Sequence, residues 1–137
     1  MKNQHEINQE IAALIMRKDS AGEAYSAKEK EFICRYSGAG GQGKKGARGS
    51  GLLYEYFTPP YIAEIMWKLA LKFGYDGGPV LDPAVGTGRL IKDAPDKSKV
   101  VGFEINETTR RISEILYPAA TFHNGFFETA FMEHPRF

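Results

Sequence analysis

The stretch Val80-Leu-Asp-Pro-Ala-Val-Gly-Thr-Gly-Arg-Leu90 constrains the fold more than any other part of the chain. A short apolar run ends on an acid, turns through two glycines and resumes an apolar pattern. That is the signature of a strand, a tight turn and the start of a helix. The alternation continues downstream. Residues 99–104, Lys-Val-Val-Gly-Phe-Glu, read as a second strand. Asn106 then caps a helix carrying Ile112, Ile115 and Leu116, Pro118 stops it, and residues 120–123 read as a third strand. Alternating strands and helices imply an α/β domain with a parallel sheet and crossover helices.

The flanking segments give the rest of the organisation. Thr58 is an expected N-cap with Pro59 at the first helical position. Ile62, Ile65, Met66, Leu69 and Phe73 then mark one helical face, which Gly74 ends. Gly-Arg-Leu-Ile-Lys-Asp, residues 88–93, has room only for a short helix. Near the N-terminus, Ile7, Ile11, Leu14 and Ile15 predict a helix over 3–17. Ser26 and Glu29 form a capping box for a second helix over about 27–37. Residues 37–51 hold seven glycines with Lys44, Lys45 and Arg48, and read as a flexible basic loop. The expected divisions are therefore a helical arm over 1–37, a Gly/Lys-rich loop over 38–51 and an α/β segment over 52–137.

Composition removes several function classes. A chain of 137 residues supports one domain with a modest core. Its single cysteine, Cys34, excludes a disulfide framework within the chain. No apolar run approaches the ~18 residues of a membrane helix and no signal-peptide pattern opens the chain, so a cytoplasmic protein without a membrane partner is expected. The net charge of +1 does not advertise nucleic-acid binding, although residues 1–51 carry nine Lys/Arg against six Asp/Glu. Residues 38–44, Gly-Ala-Gly-Gly-Gln-Gly-Lys, match a phosphate-loop spacing. That mechanism needs a strand before the loop and a helix N-terminus after it, and Lys45 stands where Ser or Thr would hold magnesium.

The chemistry points instead to residues 80–106. Asp82 ends the first strand, and Gly86 and Gly88 let the backbone turn tightly and a ligand approach it. Glu104 ends the second strand, 22 residues after Asp82. An acid about 20 residues beyond the glycine turn is the usual spacing for gripping a ribose, because a carboxylate accepts two hydroxyl hydrogens at once.

These residues carry a resemblance. Asp-Pro-Ala-Val-Gly-Thr-Gly-Arg-Leu, 82–90, resembles the S-adenosylmethionine loop of amino-methylating DNA methyltransferases, including modification subunits of restriction systems. Gly-Phe-Glu-Ile-Asn, 102–106, resembles their ribose-binding strand end. Tyr-Phe-Thr-Pro-Pro-Tyr-Ile-Ala-Glu-Ile-Met, 56–66, resembles the Thr-Pro segment that precedes the cofactor loop in many adenine methylases. Because it lies upstream of the loop, Thr58-Pro-Pro-Tyr61 is not read as a variant of the catalytic Asn-Pro-Pro-Tyr. The resemblance, over roughly residues 52–127, implies a partial Rossmann-like methyltransferase fold with S-adenosylmethionine as cofactor. It implies that Thr58 holds the methionine carboxylate and Asp82 faces the amino group. It places Ala84, Gly86 and Gly88 as backbone lining, Glu104 on the ribose and Ile105 on the adenine face. Asn124 and Phe126 stand where the family carries an Asp-Phe pair for the adenine, and His123 reads as a strand-end residue rather than a base.

No Asn-Pro-Pro-Tyr occurs in residues 105–137. On this resemblance the chain is the N-terminal segment of an adenine N6 methylase, with no catalytic residue of its own. DNA and the remaining half of the domain would be its partners. The alternative is a non-catalytic module that binds the cofactor or a partner with the same half-fold. A dinucleotide oxidoreductase fits less well, since residues 80–90 lack a full Gly-x-Gly-x-x-Gly. An open edge at the first strand would invite self-association, unless the N-terminal helices cover it.

Overall fold

The computed structural model describes residues 2–38 and 56–133, without the side chains of 131–133. The basic segment with Lys44, Lys45 and Arg48, expected as a flexible loop, lies outside the described residues. The chain divides into two compact units, Met1–Phe57 and Thr58–Phe137.

The first unit is built on two helices, α1 (Gln4–Ala21) and α2 (Ala27–Ile33). Both start on reciprocal capping boxes, Asn3 with Glu6 and Ser26 with Glu29, each satisfying two backbone donors that the first turn leaves open. α1 runs past the expected end to Ala21, because Gly22, at φ 64°, supplies its left-handed stop. Ile7, Ile11, Ile15 and Ile33 are buried. Lys18 reaches from α1 to Glu29 at 3.1 Å, Glu23 at 3.2 Å and the Ala24 carbonyl at 3.0 Å, closing the turn between the helices.

The second unit is α/β. It contains α3 (Pro60–Lys72), β1 (Val80–Asp82), β2 (Val100–Glu104), α4 (Glu107–Leu116), β3 (Thr121–Asn124) and α5 (Phe127–Glu133). The three strands are parallel, in the order β1-β2-β3, with Val80 opposite Val100 and Val101 opposite Thr121. β2 is central, so Val100 and Phe103 are buried, whereas Leu81 on the edge strand is half exposed. Val85, Ile91, Ala94 and Val100 form a core on which Trp67, Val80, Tyr117, Ala120 and Phe122 pack. Asn106 caps α4 as expected, its side chain accepting from the amides of Thr108 and Thr109.

Two local expectations are corrected. The cap of α3 is Pro59, not Thr58, and Pro60 is the first helical residue. A residue before proline is pushed into extended backbone, and Pro59 at ψ 141° obeys that rule ahead of Pro60. The expected apolar face of α3 is largely uncovered: Ile65, Met66, Leu69 and Phe73 are exposed, Phe73 at 80%. Glu64, Lys68 and Lys72 mark one charged stripe and the rest of the helix is apolar, so periodicity did not single out the side that is covered. Ala63 is its buried residue, and Trp67, one turn on, donates from Nε1 to the Leu90 carbonyl at 2.6 Å. Residues 88–93 yield only a 3-10 turn at Ile91–Asp93.

Candidate ligand site at the carboxyl edge of the sheet

The parallel register places the ends of all three strands on one edge, where ligands of open α/β sheets bind. Asp82 pairs with Gly102, and Glu104 with Asn124. The turn after β1 folds over β2: the Val85 amide donates to the Phe103 carbonyl at 2.9 Å. Gly102 has to be glycine for this crossing, because a Cβ there would lie 2.9 Å from the Val85 Cβ.

Asp82 accepts from the Ala84 amide at 3.2 Å through Oδ1. Its Oδ2 is buried and has no hydrogen-bond partner among the described residues. Burial raises the Asp82 pKa above its ordinary value, against the Ala84 hydrogen bond, and the Glu104 charge raises it further. Glu104 receives the Asn106 amide on Oε1 at 2.8 Å, which fixes the carboxylate at the strand end. Two carboxylates therefore meet one edge, one of them with a buried acceptor unused. An arrangement of this kind favours a ligand that brings positive charge and hydroxyl donors.

The other sequence-predicted residues divide. Thr58 is half-buried and its carbonyl accepts from Arg89 Nη1 at 3.5 Å, which ties the entry to α3 to the turn after β1. As an anion site the start of α3 is depleted. Pro59 and Pro60 have no N–H, and the Ile62 and Ala63 amides both donate to the Pro59 carbonyl, at 3.0 and 3.1 Å. Ala84 is exposed beside Asp82, while Gly86 and Gly88 are buried in the turn. Gly88 is used for packing rather than for ligand approach: its Cβ would meet the Tyr117 ring at 2.7 Å. Ile105 is half-buried. Asn124 donates from Nδ2 to the carbonyls of Glu104 and Ile105, both at 3.3 Å. Phe126 stands half exposed past the end of β3. His123 stacks on Phe103, ring centroids 5.0 Å apart, with Phe127 edge-on to the same ring.

Sequence reasoning missed the support for the turn. Ser113 and Tyr117 lie one helical turn apart along α4, and the Ser113 hydroxyl donates to the Gly86 carbonyl at 2.8 Å. The available signal was Thr109-x-x-x-Ser113-x-x-x-Tyr117, a polar stripe at helical spacing beside Ile112 and Ile115. An apolar groove of about 490 Å³ also runs between α3 and β1, lined by Met66, Trp67, Leu81 and Leu90, with Asp82 at its wall.

Among the described residues no helix is long and apolar enough to cross a membrane. None of their His, Cys, Asp and Glu side chains form a group able to hold a metal ion.

No protein-family model matches the chain, and no solved structure matches it. Among curated proteins the chain is similar to Defense against restriction protein B of Escherichia phage P1, at 29% identity over 114 residues. The aligned stretch is 83% of this chain and 5% of the phage protein, so the chain spans about a twentieth of that relative's length. This finding overturns the assignment to amino-methylating DNA methyltransferases, and with it the reading of the chain as part of an adenine-methylating enzyme. The missing half-domain expected as a partner rested on the same assignment and falls with it. The short motifs of residues 82–90 and 102–106 lie at the carboxyl edge of the sheet, and such an edge serves many chemistries.

Proposed function

We propose that residues 58–133 form a non-catalytic module that holds S-adenosylmethionine at the carboxyl edge of its sheet. Its setting would be the one named for the phage relative, defence against restriction. The observation that carries the reading is the buried, unpartnered Oδ2 of Asp82 beside Glu104 at the ends of neighbouring parallel strands.

The residues fit the ligand group by group. The amino group of S-adenosylmethionine is the donor that Asp82 Oδ2 lacks. The ribose diol matches the carboxylate of Glu104, whose other contact, the Asn106 amide, holds it in place. Ile105 and the exposed ring of Phe126 offer apolar surface to the purine, and Asn124 borders it. Thr58 supplies its hydroxyl, and Tyr61 the first amide of α3, for the ligand carboxylate. Ala84 and Gly86 contribute backbone. Bound S-adenosylmethionine brings an electrophilic sulfonium methyl, but the module's proposed use of it is recognition.

Titration calorimetry on the full chain tests this. Glu104→Ala should weaken S-adenosylmethionine binding by about 10- to 150-fold, the loss of hydrogen bonds to a charged acceptor worth ~1.5–3 kcal/mol. Equal affinity of the two proteins would remove Glu104 from the site.

A further inference from the structure

We propose that Ser113 is the positioning residue of this site, holding the glycine turn in its ligand-accepting shape through the Gly86 carbonyl. The inference rests on the adenosyl reading given above and adds a residue on a different element to it.

Ser113 is fully buried, between Ile112 and Ile115 on the packed face of α4. A buried hydroxyl needs a partner, and this one finds it 27 residues away, at 2.8 Å, on the turn after β1. The turn is thus held at three successive points. The Phe103 carbonyl receives the Val85 amide, Ser113 donates to Gly86, and the Tyr117 ring presses where a Gly88 Cβ would be. Gly86 and Gly88 both have positive φ, 56° and 75°, so their conformations are open to glycine and these two positions have no side chain of their own to hold them. The lock comes from α4. A trans peptide sets its C=O and the following N–H antiparallel. Ser113, by drawing the Gly86 carbonyl towards α4, turns the Thr87 amide away from that helix. The hydroxyl therefore sets the direction of a backbone donor in the turn that the ligand has to meet.

The test uses the full chain, S-adenosylmethionine titration and amide hydrogen exchange without ligand. Ser113→Ala should weaken binding about tenfold, as expected for one hydrogen bond lost with its acceptor left buried. In the absence of ligand it should speed exchange at Gly86, Thr87 and Gly88 while leaving Phe103 and Glu104 on β2 as they were. Ser113→Thr, which keeps the hydroxyl, should recover both readouts. If its added methyl disturbs packing, Ser113→Cys, a weak donor, should fall between serine and alanine. Ile112→Val, a buried change on the same helix, should lower thermal stability without moving either readout. A parent chain that binds while Ser113→Ala binds equally well overturns this inference alone, as does faster exchange spread evenly over the unit. A parent chain that does not bind S-adenosylmethionine overturns the adenosyl reading and this inference with it.

Discussion

Asp82 and Glu104 end neighbouring parallel strands, Asp82 in register with Gly102 and Glu104 two residues further along the same strand. The sheet therefore gathers two carboxylates at one edge, and the free protein carries an electrostatic load that a cationic ligand would relieve. At Asp82 burial raises the pKa first, and the Glu104 charge raises it further.

The load has a definite pH dependence. A carboxyl whose folded pKa is raised binds its proton more tightly in the folded state. That contribution is fully present below the ordinary value of 3.8 and is lost as pH rises through the raised value. At pH 7 the ionised Asp82 thus works against folding. Asp82→Asn should raise the urea midpoint at neutral pH, its advantage shrinking as the pH is lowered towards 3.8, while ligand affinity falls. A substitution that lowers the midpoint equally at every pH would count against the buried, unused oxygen.

The first unit shows the opposite sign. Glu29 is held down to about 2 by the Ser26 backbone amide first, then by the Ser26 side chain and Lys18. A depressed carboxylate stabilises above its ordinary value of 4.5, and that stabilisation is lost as pH falls through the folded value. Helicity measured by circular dichroism should therefore melt at lower temperature as pH drops from 4.5 towards 2. Glu29→Gln should remove much of that dependence, and an unchanged pH profile in this variant would contradict the capping-box account.

Gly88→Ala should destabilise the second unit through two separable effects. The added Cβ meets Tyr117 at 2.7 Å, and the backbone sits at φ 75°. Overpacking typically costs ~1–3 kcal/mol, and a non-glycine residue in the left-handed region roughly 1 kcal/mol more. Combining it with Tyr117→Ala should remove most of the steric share and leave the backbone share with a 3.2 Å approach to the Ser113 Oγ, so a double-mutant cycle by urea unfolding should show clear coupling. Strict additivity would mean that the ring is not what Gly88 accommodates.

On α3, Trp67→Phe should cost about 1–2 kcal/mol, from the lost hydrogen bond to Leu90 and the smaller ring. Phe73→Ser should stay within about 0.5 kcal/mol, as surface changes do. The reverse order in thermal or urea unfolding would restore the sequence-predicted face of the helix.

These two substitutions mark where the sequence is legible. Strands at 80–82, 100–104 and 121–124 could be read because short apolar runs bounded by turns leave few alternatives. The caps Asn106, Ser26 and Glu29 could be read because capping chemistry is local. The face of α3 could not, since apolar residues occupy all of it outside the Glu64, Lys68 and Lys72 stripe and the choice is made by Trp67 meeting Leu90 across 23 residues. Thr58 lost the cap to Pro59 through a rule about residues before proline that the Thr-Pro pair alone conceals. Helix α5 followed β3 without a strong periodic signal. At the site, Asp82, Gly86, Gly88 and Glu104 were visible as a motif, but Gly88's contact with Tyr117 and Gly86's with Ser113 are tertiary. The methyltransferase assignment rested on short local motifs alone, and no residue that acts on a substrate was among them.

The most direct measurement of the central claim is a calorimetric titration of the full chain with S-adenosylmethionine, repeated with Asp82→Ala, Glu104→Ala and the double variant. The account predicts saturable one-to-one binding by the parent, weaker binding by each single variant, and loss of detectable heat in the double variant with its fold retained by circular dichroism. No binding by the parent, or binding that survives removal of both carboxylates, would contradict it.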